Sequence, residues 1–179
     1  MNTKSIETAF ALLGKRFQYR SQVELLLVGG AAGMLTGLLP PGRTTMDCDI
    51  MHADPARAID AIELIAAEVG SCMGLPAKWL NSDASIRGDT LPDGWKRRRV
   101  WIGTWGPLRV FAASRIDLMA MKVLAGRAQD IEDVRAMKPR GDDLAFIAHY
   151  LELMKARGTS SSDVTDALTL LHSLELHES

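Results

Sequence analysis

A chain of 179 residues with 47% hydrophobic and 24% charged residues has the makings of one globular domain, or of one with a small helical appendage, and excludes a long disordered or fibrous protein. Its formal net charge of −1 excludes affinity for nucleic acid through overall basicity, so any such affinity needs a local patch. No apolar run approaches the roughly 20 residues of a membrane helix, and the start Met1-Asn2-Thr3-Lys4-Ser5-Ile6-Glu7 lacks the parts of a secretory signal; a soluble, cytoplasmic protein with Cys48 and Cys72 as reduced thiols is expected.

Ile6, Phe10, Leu13 and Phe17 recur at helical spacing after Ser5, which predicts an amphipathic first helix packed on a sheet. The continuous apolar run from Val23 to Val28 predicts a central strand covered on both faces. A helix from Gly30 to about Leu38 should follow, ended by Pro40-Pro41-Gly42, and then a second strand over about Asp47 to His52. Asp54-Pro55 reads as an N-cap followed by a first-turn proline, opening a helix that carries Ala58, Ile62, Ile65 and Val69 and ends near Gly70. Ser71 to Gly94 has few periodic apolar residues and reads as a long loop with at most a brief helical turn, a kind of segment that often serves function.

Arg99–Thr104 and Leu108–Ala112 have strand composition and flank Trp105-Gly106-Pro107, which predicts a hairpin. Ser114-Arg115-Ile116-Asp117 is a capping-box start for a helix that stops at Gly126. Further helices are expected over about 130–137 and 142–155, and a last one capped by Ser162 runs through Leu171 and frays towards Ser179.

The chemistry is concentrated between residues 28 and 49. Side chains alternate along a strand, so Asp47 and Asp49 share one face and offer a hard cation two oxygen ligands. Two like charges side by side gain nothing structurally without a cation. Gly29-Gly30, between an apolar strand and a helix, lets backbone come close to a phosphate. A dinucleotide fingerprint fits less well: Gly30 and Gly33 match its later glycines, but Val28 stands at the first and Pro40-Pro41 cuts the helix short.

Other groups carry two readings each. Lys122, amid Met119, Met121 and Val123, either reaches a site or lays its stem along apolar surface with its head in water. Arg127, Asp130, Glu132 and Asp133 can form a solvated ion-pair network at a helix corner. Lys96-Arg97-Arg98-Arg99, with Trp95, Trp101 and Trp105, can hold an RNA end or can be a charged loop with the tryptophans packed beneath. His52, His149, His172 and His177 are scattered and read as structural or exposed.

Hydrophobic strand, Gly-Gly, short helix and Arg43-x-Thr45-x-Asp47-x-Asp49 together resemble the DNA-polymerase-β-like nucleotidyltransferase superfamily. With Leu91-Pro92-Asp93-Gly94-Trp95 and the block from Asp117 through Lys122, Arg127 and Asp130 to Asp133-Val134, the chain resembles a poorly characterised bacterial branch related to minimal nucleotidyltransferases and abortive-infection toxins. The resemblance implies an α/β fold, a small mixed sheet flanked by helices, with a core over 1–113 and a helical part over 114–179 packed on it as one compact unit. It implies that Asp47 and Asp49 bind Mg²⁺ or Mn²⁺, that Gly29, Gly30, Arg43 and Thr45 hold the nucleotide, and that Lys122 approaches the nucleotide or the carboxylates. The activity implied is transfer of a nucleoside monophosphate from a nucleoside triphosphate to a protein, RNA or small-molecule acceptor, in a toxin–antitoxin-like setting and away from membranes. The chain departs from the pattern twice. Ala31 stands where a serine usually helps to grip the triphosphate, and 107–112 lacks the third carboxylate normally found on a later strand. Either Asp117, Asp130 or Asp133 supplies that acid from a helix, or the protein is a catalytically inactive nucleotide-binding or partner module.

Overall fold

The computed structural model describes residues 1–175, apart from the side chains at 86–89, 161, 162 and 173–175. In chain order the elements are α1 (Thr3–Arg16), β1 (Val23–Val28), α2 (Gly29–Leu35), β2 (Cys48–Asp54), α3 (Ile59–Met73), β3 (Leu80–Asn81), α4 (Trp95–Arg98), β4 (Val100–Trp105), β5 (Leu108–Ala112), α5 (Arg115–Ala125), α6 (Ala128–Ala136), α7 (Gly141–Ala156) and α8 (Ser161–Glu175). The strands form one mixed five-stranded sheet in the order β3-β2-β1-β5-β4. β1 is central, parallel to β5 and antiparallel to β2. This is the mixed α/β architecture of a nucleotidyltransferase-like core.

The chain divides into two compact units, Met1–Asp89 with Lys96–Ala113, and Thr90–Trp95 with the segment from Ser114 onward. In the first unit α1 and α3 pack together and α1 reaches β4. Phe10 of α1 stacks on Trp105 with ring centroids 5.3 Å apart and meets, at 5.5 Å, the edge of Trp79, whose indole N–H donates to Ala66 O of α3 at 2.6 Å. Two glycines make that approach possible. A Cβ on Gly14 would lie 2.3 Å from Trp105 O, and one on Gly106 2.2 Å from Gly14 O. Each fully buried side chain of this core, Phe10, Leu13, Leu25 and Ile62 among them, contributes about 1.5–3 kcal/mol by leaving water.

Several boundaries differ from expectation for identifiable reasons. Asn2 rather than Ser5 caps α1: Asn2 Oδ1 accepts from Ser5 N–H at 2.9 Å while Ser5 Oγ accepts from Asn2 N–H at 3.0 Å. Asp54 caps no helix. It ends β2 opposite Glu24, a cis peptide bond joins it to Pro55, and a 3-10 turn (Ala56–Ala58) precedes α3. α3 runs past Gly70, because Trp79 packs where a Cβ would sit, and stops where Gly74 turns left-handed at φ 66°. The expected long loop contains β3, too short for periodicity to reveal, and a 3-10 segment over Asp83–Thr90.

The second unit is helical, with α7 against α8 and α5, and α6 against α5. The sequence-predicted cap is present, since Ser114 Oγ accepts from Asp117 N–H and donates to the Asp117 carboxylate at 2.6 Å. Arg115 grips the Asp143 carboxylate with two bonds of 2.9 Å. The buried Tyr150 hydroxyl donates to Thr90 O at 2.8 Å. α8 starts at Ser161; the expected cap by the Ser162 side chain, His177 and the fraying towards Ser179 lie outside what is described.

Candidate functional site

The turn from β1 into α2 forms because the chain must reverse direction within one residue. Gly29 does this at φ 70°, a conformation that L side chains resist by roughly 1–2 kcal/mol. The absent side chain leaves room for a carboxylate: a Cβ on Gly29 would lie 2.9 Å from Asp49 Oδ2. At Gly30 the neighbours are Thr45 Oγ1 at 3.3 Å and Arg43 Nη2 at 3.6 Å from the missing Cβ. Gly29, Gly30, Arg43, Thr45 and Asp49, five residues singled out from sequence, therefore meet at one end of β1 and β2.

Asp47 completes the stretch differently from expectation. It stands just before β2 rather than on it. Thr45 Oγ1 donates to Asp47 O at 3.1 Å, and Thr45 N–H donates to Met1 O at 3.0 Å while the Met1 amino group donates back to Thr45 O. Arg43 Nη1 also donates to Thr44 O. The loop that presents Asp47 is thus tied by its own threonine and arginine. Alternation holds across the boundary: Cys48 is buried while Asp47 and Asp49 are half-buried. Burial pushes the Cys48 thiol up, and the Asp47 and Asp49 charges on either side add to the effect. That thiol stays neutral, and Cys72 is free and exposed.

β2 contains an irregularity invisible to periodicity. Val28 pairs with Asp49 and Leu27 with Ile50, but Leu26 pairs with His52, so Met51 is the extra residue of a bulge. The bulge turns His52, three positions after Asp49, onto the face that Asp49 occupies. His52 is half-buried rather than fully exposed. Burial, then Lys96, lowers its pKa below the usual 6.5, with Arg99 acting the same way and Asp54 and Glu24 opposing.

The same face carries an ion cluster that sequence reading missed. Glu24 of β1 accepts from Arg99 at 2.6 Å and from Arg109 of β5 at 3.1 Å, and the Arg99 guanidinium lies 3.9 Å over the Phe111 ring. The register Glu24↔Arg109 sets this pairing, and only topology makes those two strands neighbours. Arg99 of the basic run is therefore occupied within the fold. Trp105 is packed on Phe10, whereas Trp101 on the edge strand is 61% exposed.

Lys122, Asp117, Asp130 and Asp133 belong to the second unit. Lys122 does not hold its head in water: it is 5% exposed, and Nζ donates to Asp130 at 2.8 Å and to Asp133 at 2.7 Å. The expected solvated network at the α5–α6 corner is therefore buried at Asp130 and Asp133 and exposed at Arg127 and Glu132, with Arg127 closing on Asp130 at 2.6 Å. Asp117 is fully buried at the start of α5 and bonded to Ser114. Among the described residues no group of three or more His, Cys, Asp or Glu side chains is placed to hold a metal ion. Two carboxylates nevertheless suit Mg²⁺, which keeps several waters and takes one or two protein carboxylates plus substrate phosphates.

A family described as "Nucleotidyltransferase of unknown function (DUF6036)" matches residues 4–142. The chain belongs to this nucleotidyltransferase family. The match spans the glycine turn, both aspartates, the whole sheet and the Lys122 corner, so the two units share in the family pattern. Neither a curated protein nor a solved structure matches the chain. Among the described residues no helix is long and apolar enough to cross a membrane.

Proposed function

We propose that this family member is a metal-dependent enzyme that moves a nucleoside monophosphate from a nucleoside triphosphate to an acceptor hydroxyl. The observation that carries the reading is the placement of Asp49 over Gly29, with Arg43 and Thr45 over Gly30. A carboxylate against a glycine backbone, beside a guanidinium, is a place where a cation and a phosphate can meet at short range. Asp47 and Asp49 would hold Mg²⁺ or Mn²⁺, which supplies charge stabilisation for the phosphoryl group in flight. Arg43 would grip phosphate oxygens. Thr45 fixes the Asp47 backbone and holds its hydroxyl beside Gly30.

The acceptor is a protein, an RNA or a small molecule, in a toxin–antitoxin-like setting. The exposed Trp101, which follows the basic run Lys96-Arg97-Arg98-Arg99 in the chain, favours an acceptor with stackable bases. A second reading, an inactive nucleotide-binding or partner module, is favoured by one observation: β5 carries no acid. The test is transfer of label from each of the four α-labelled triphosphates, with Mg²⁺ or Mn²⁺, in the presence and absence of total RNA and of protein. Transfer that chelator, Asp47→Ala and Asp49→Ala each abolish supports the enzyme. Binding without transfer, indifferent to both substitutions, supports the module.

A further inference from the structure

We infer that His52 is the general base that takes the proton from the acceptor hydroxyl, a role resting on the nucleotidyl-transfer reading above. The argument begins with the bulge at Met51. Without it, a residue three positions after Asp49 would face the opposite side of β2. With it, Asp49 opposite Val28 and His52 opposite Leu26 stand on one face in adjacent rows. Two residues of β1 separate those rows, about 7 Å along the strand. A single oxygen lying between them has room for a contact of about 3 Å on each side. An acceptor hydroxyl delivered to a nucleotide at Asp49 therefore comes within hydrogen-bond reach of the imidazole.

The surroundings suit the task. The neighbouring strand β5 offers no carboxylate along Leu108–Ala112. His52 is half-buried, next to Lys96 of α4 and Arg99, with Glu24 of β1 and Asp54 of β2 as the nearby acids. Burial and the two cations keep it neutral near pH 7, the state a base requires. In the step, the acceptor O–H gives its proton to an imidazole nitrogen while its oxygen bonds to the α-phosphorus. The bond from that phosphorus to the bridging oxygen breaks, and pyrophosphate leaves with the electron pair. The imidazolium then returns its proton to water.

The first measurement needs no turnover. The His52 Cε1–H resonance is followed by NMR against pH, with and without Mg²⁺ and an α,β-methylene triphosphate that cannot be cleaved at that bond. The triphosphate charge should raise the His52 midpoint, and Asp49→Ala should remove the rise. A His52 midpoint unmoved while the methyl of the exposed Met46 shifts would overturn the assignment. The second measurement uses α-labelled triphosphate. His52→Gln should lower kcat by about 100-fold or more and flatten the acid limb of its pH profile. KM for the nucleotide should stay unchanged, added imidazole should restore rate to His52→Ala, and His149→Gln should alter nothing. Wild-type transfer that His52→Gln leaves intact defeats this inference alone. No transfer by the wild type, with any triphosphate and acceptor, defeats the enzyme reading and this one with it.

Discussion

Two acidic clusters in this molecule have opposite designs. Asp130 and Asp133 are sealed in the helical unit, and Lys122 lies between them at 2.7 and 2.8 Å with Arg127 outside. Charge is balanced there, and each carboxylate has a fixed partner. Asp47 and Asp49 are half-buried at a strand end, one of them pressed against a glycine whose left-handed backbone makes the space. Their nearest acidic neighbour effect falls on Cys48, whose thiol they help to hold neutral. The first arrangement joins α5 to α6. The second sets two half-buried carboxylates at the glycine turn, with Arg43 and Thr45 beside Gly30, which is the arrangement the proposed cation and phosphate would use.

The comparison breaks most visibly at Lys122. Lys122→Met removes the buried cation that Asp130 and Asp133 share, leaving the largely exposed Arg127 on Asp130, and should cost about 3–5 kcal/mol, read as a large fall in Tm. Replacing Lys122, Asp130 and Asp133 together by apolar residues should recover most of that loss, because the uncompensated charges are gone. Asp49→Asn should lower Tm far less than Lys122→Met while ending the proposed metal-dependent transfer. If Lys122→Met melts like wild type, or Asp49→Asn unfolds the protein, the two clusters have been assigned the wrong way round.

A smaller effect sharpens the site half of the contrast. Gly29→Ala puts a Cβ at φ 70° and 2.9 Å from Asp49 Oδ2, so it should cost about 1–2 kcal/mol and displace the carboxylate. Activity should fall further than stability, and denaturant melts beside transfer assays separate the two. The smallest effect is acid sensitivity at His52. Its folded pKa lies below the usual 6.5, so the unfolded chain binds the proton more readily. This contribution is complete above about pH 6.5 and declines as pH falls from there towards the folded pKa. Denaturant midpoints of wild type and His52→Gln should therefore converge on acidification through that window.

Much of the first unit was legible in the sequence because its signals are local. Val23–Val28 announces a covered strand by composition, and Gly29-Gly30 with Asp47-x-Asp49 announces a turn and a carboxylate pair by spacing. The Ser114 cap and the Gly126 stop are likewise contained within a few residues. The misses share a different cause. β3 is two residues long and exists only because β2 lies beside it. Glu24 finds Arg109 across a sequence distance that no periodicity spans. Lys122 gave the same pattern as a lysine with its head in water, and only helix packing decided that its head is buried between acids.

By itself the sequence determined the order of the elements other than β3 and α4, the glycine turn, the paired aspartates and the mixed α/β character, since each follows from side-chain alternation, helical period or backbone freedom within a short stretch. The tertiary structure alone decided which charges are sealed against one another in the helical unit and which stand half-buried at the glycine turn. It brought Arg43 and Thr45 over Gly30 and Asp49 over Gly29, and it turned His52 to their side through one extra residue in β2. Solvation and charge pairing depend on what lies across space from a residue. That is set by strand register and helix packing, which the chain fixes only when all its segments are folded together.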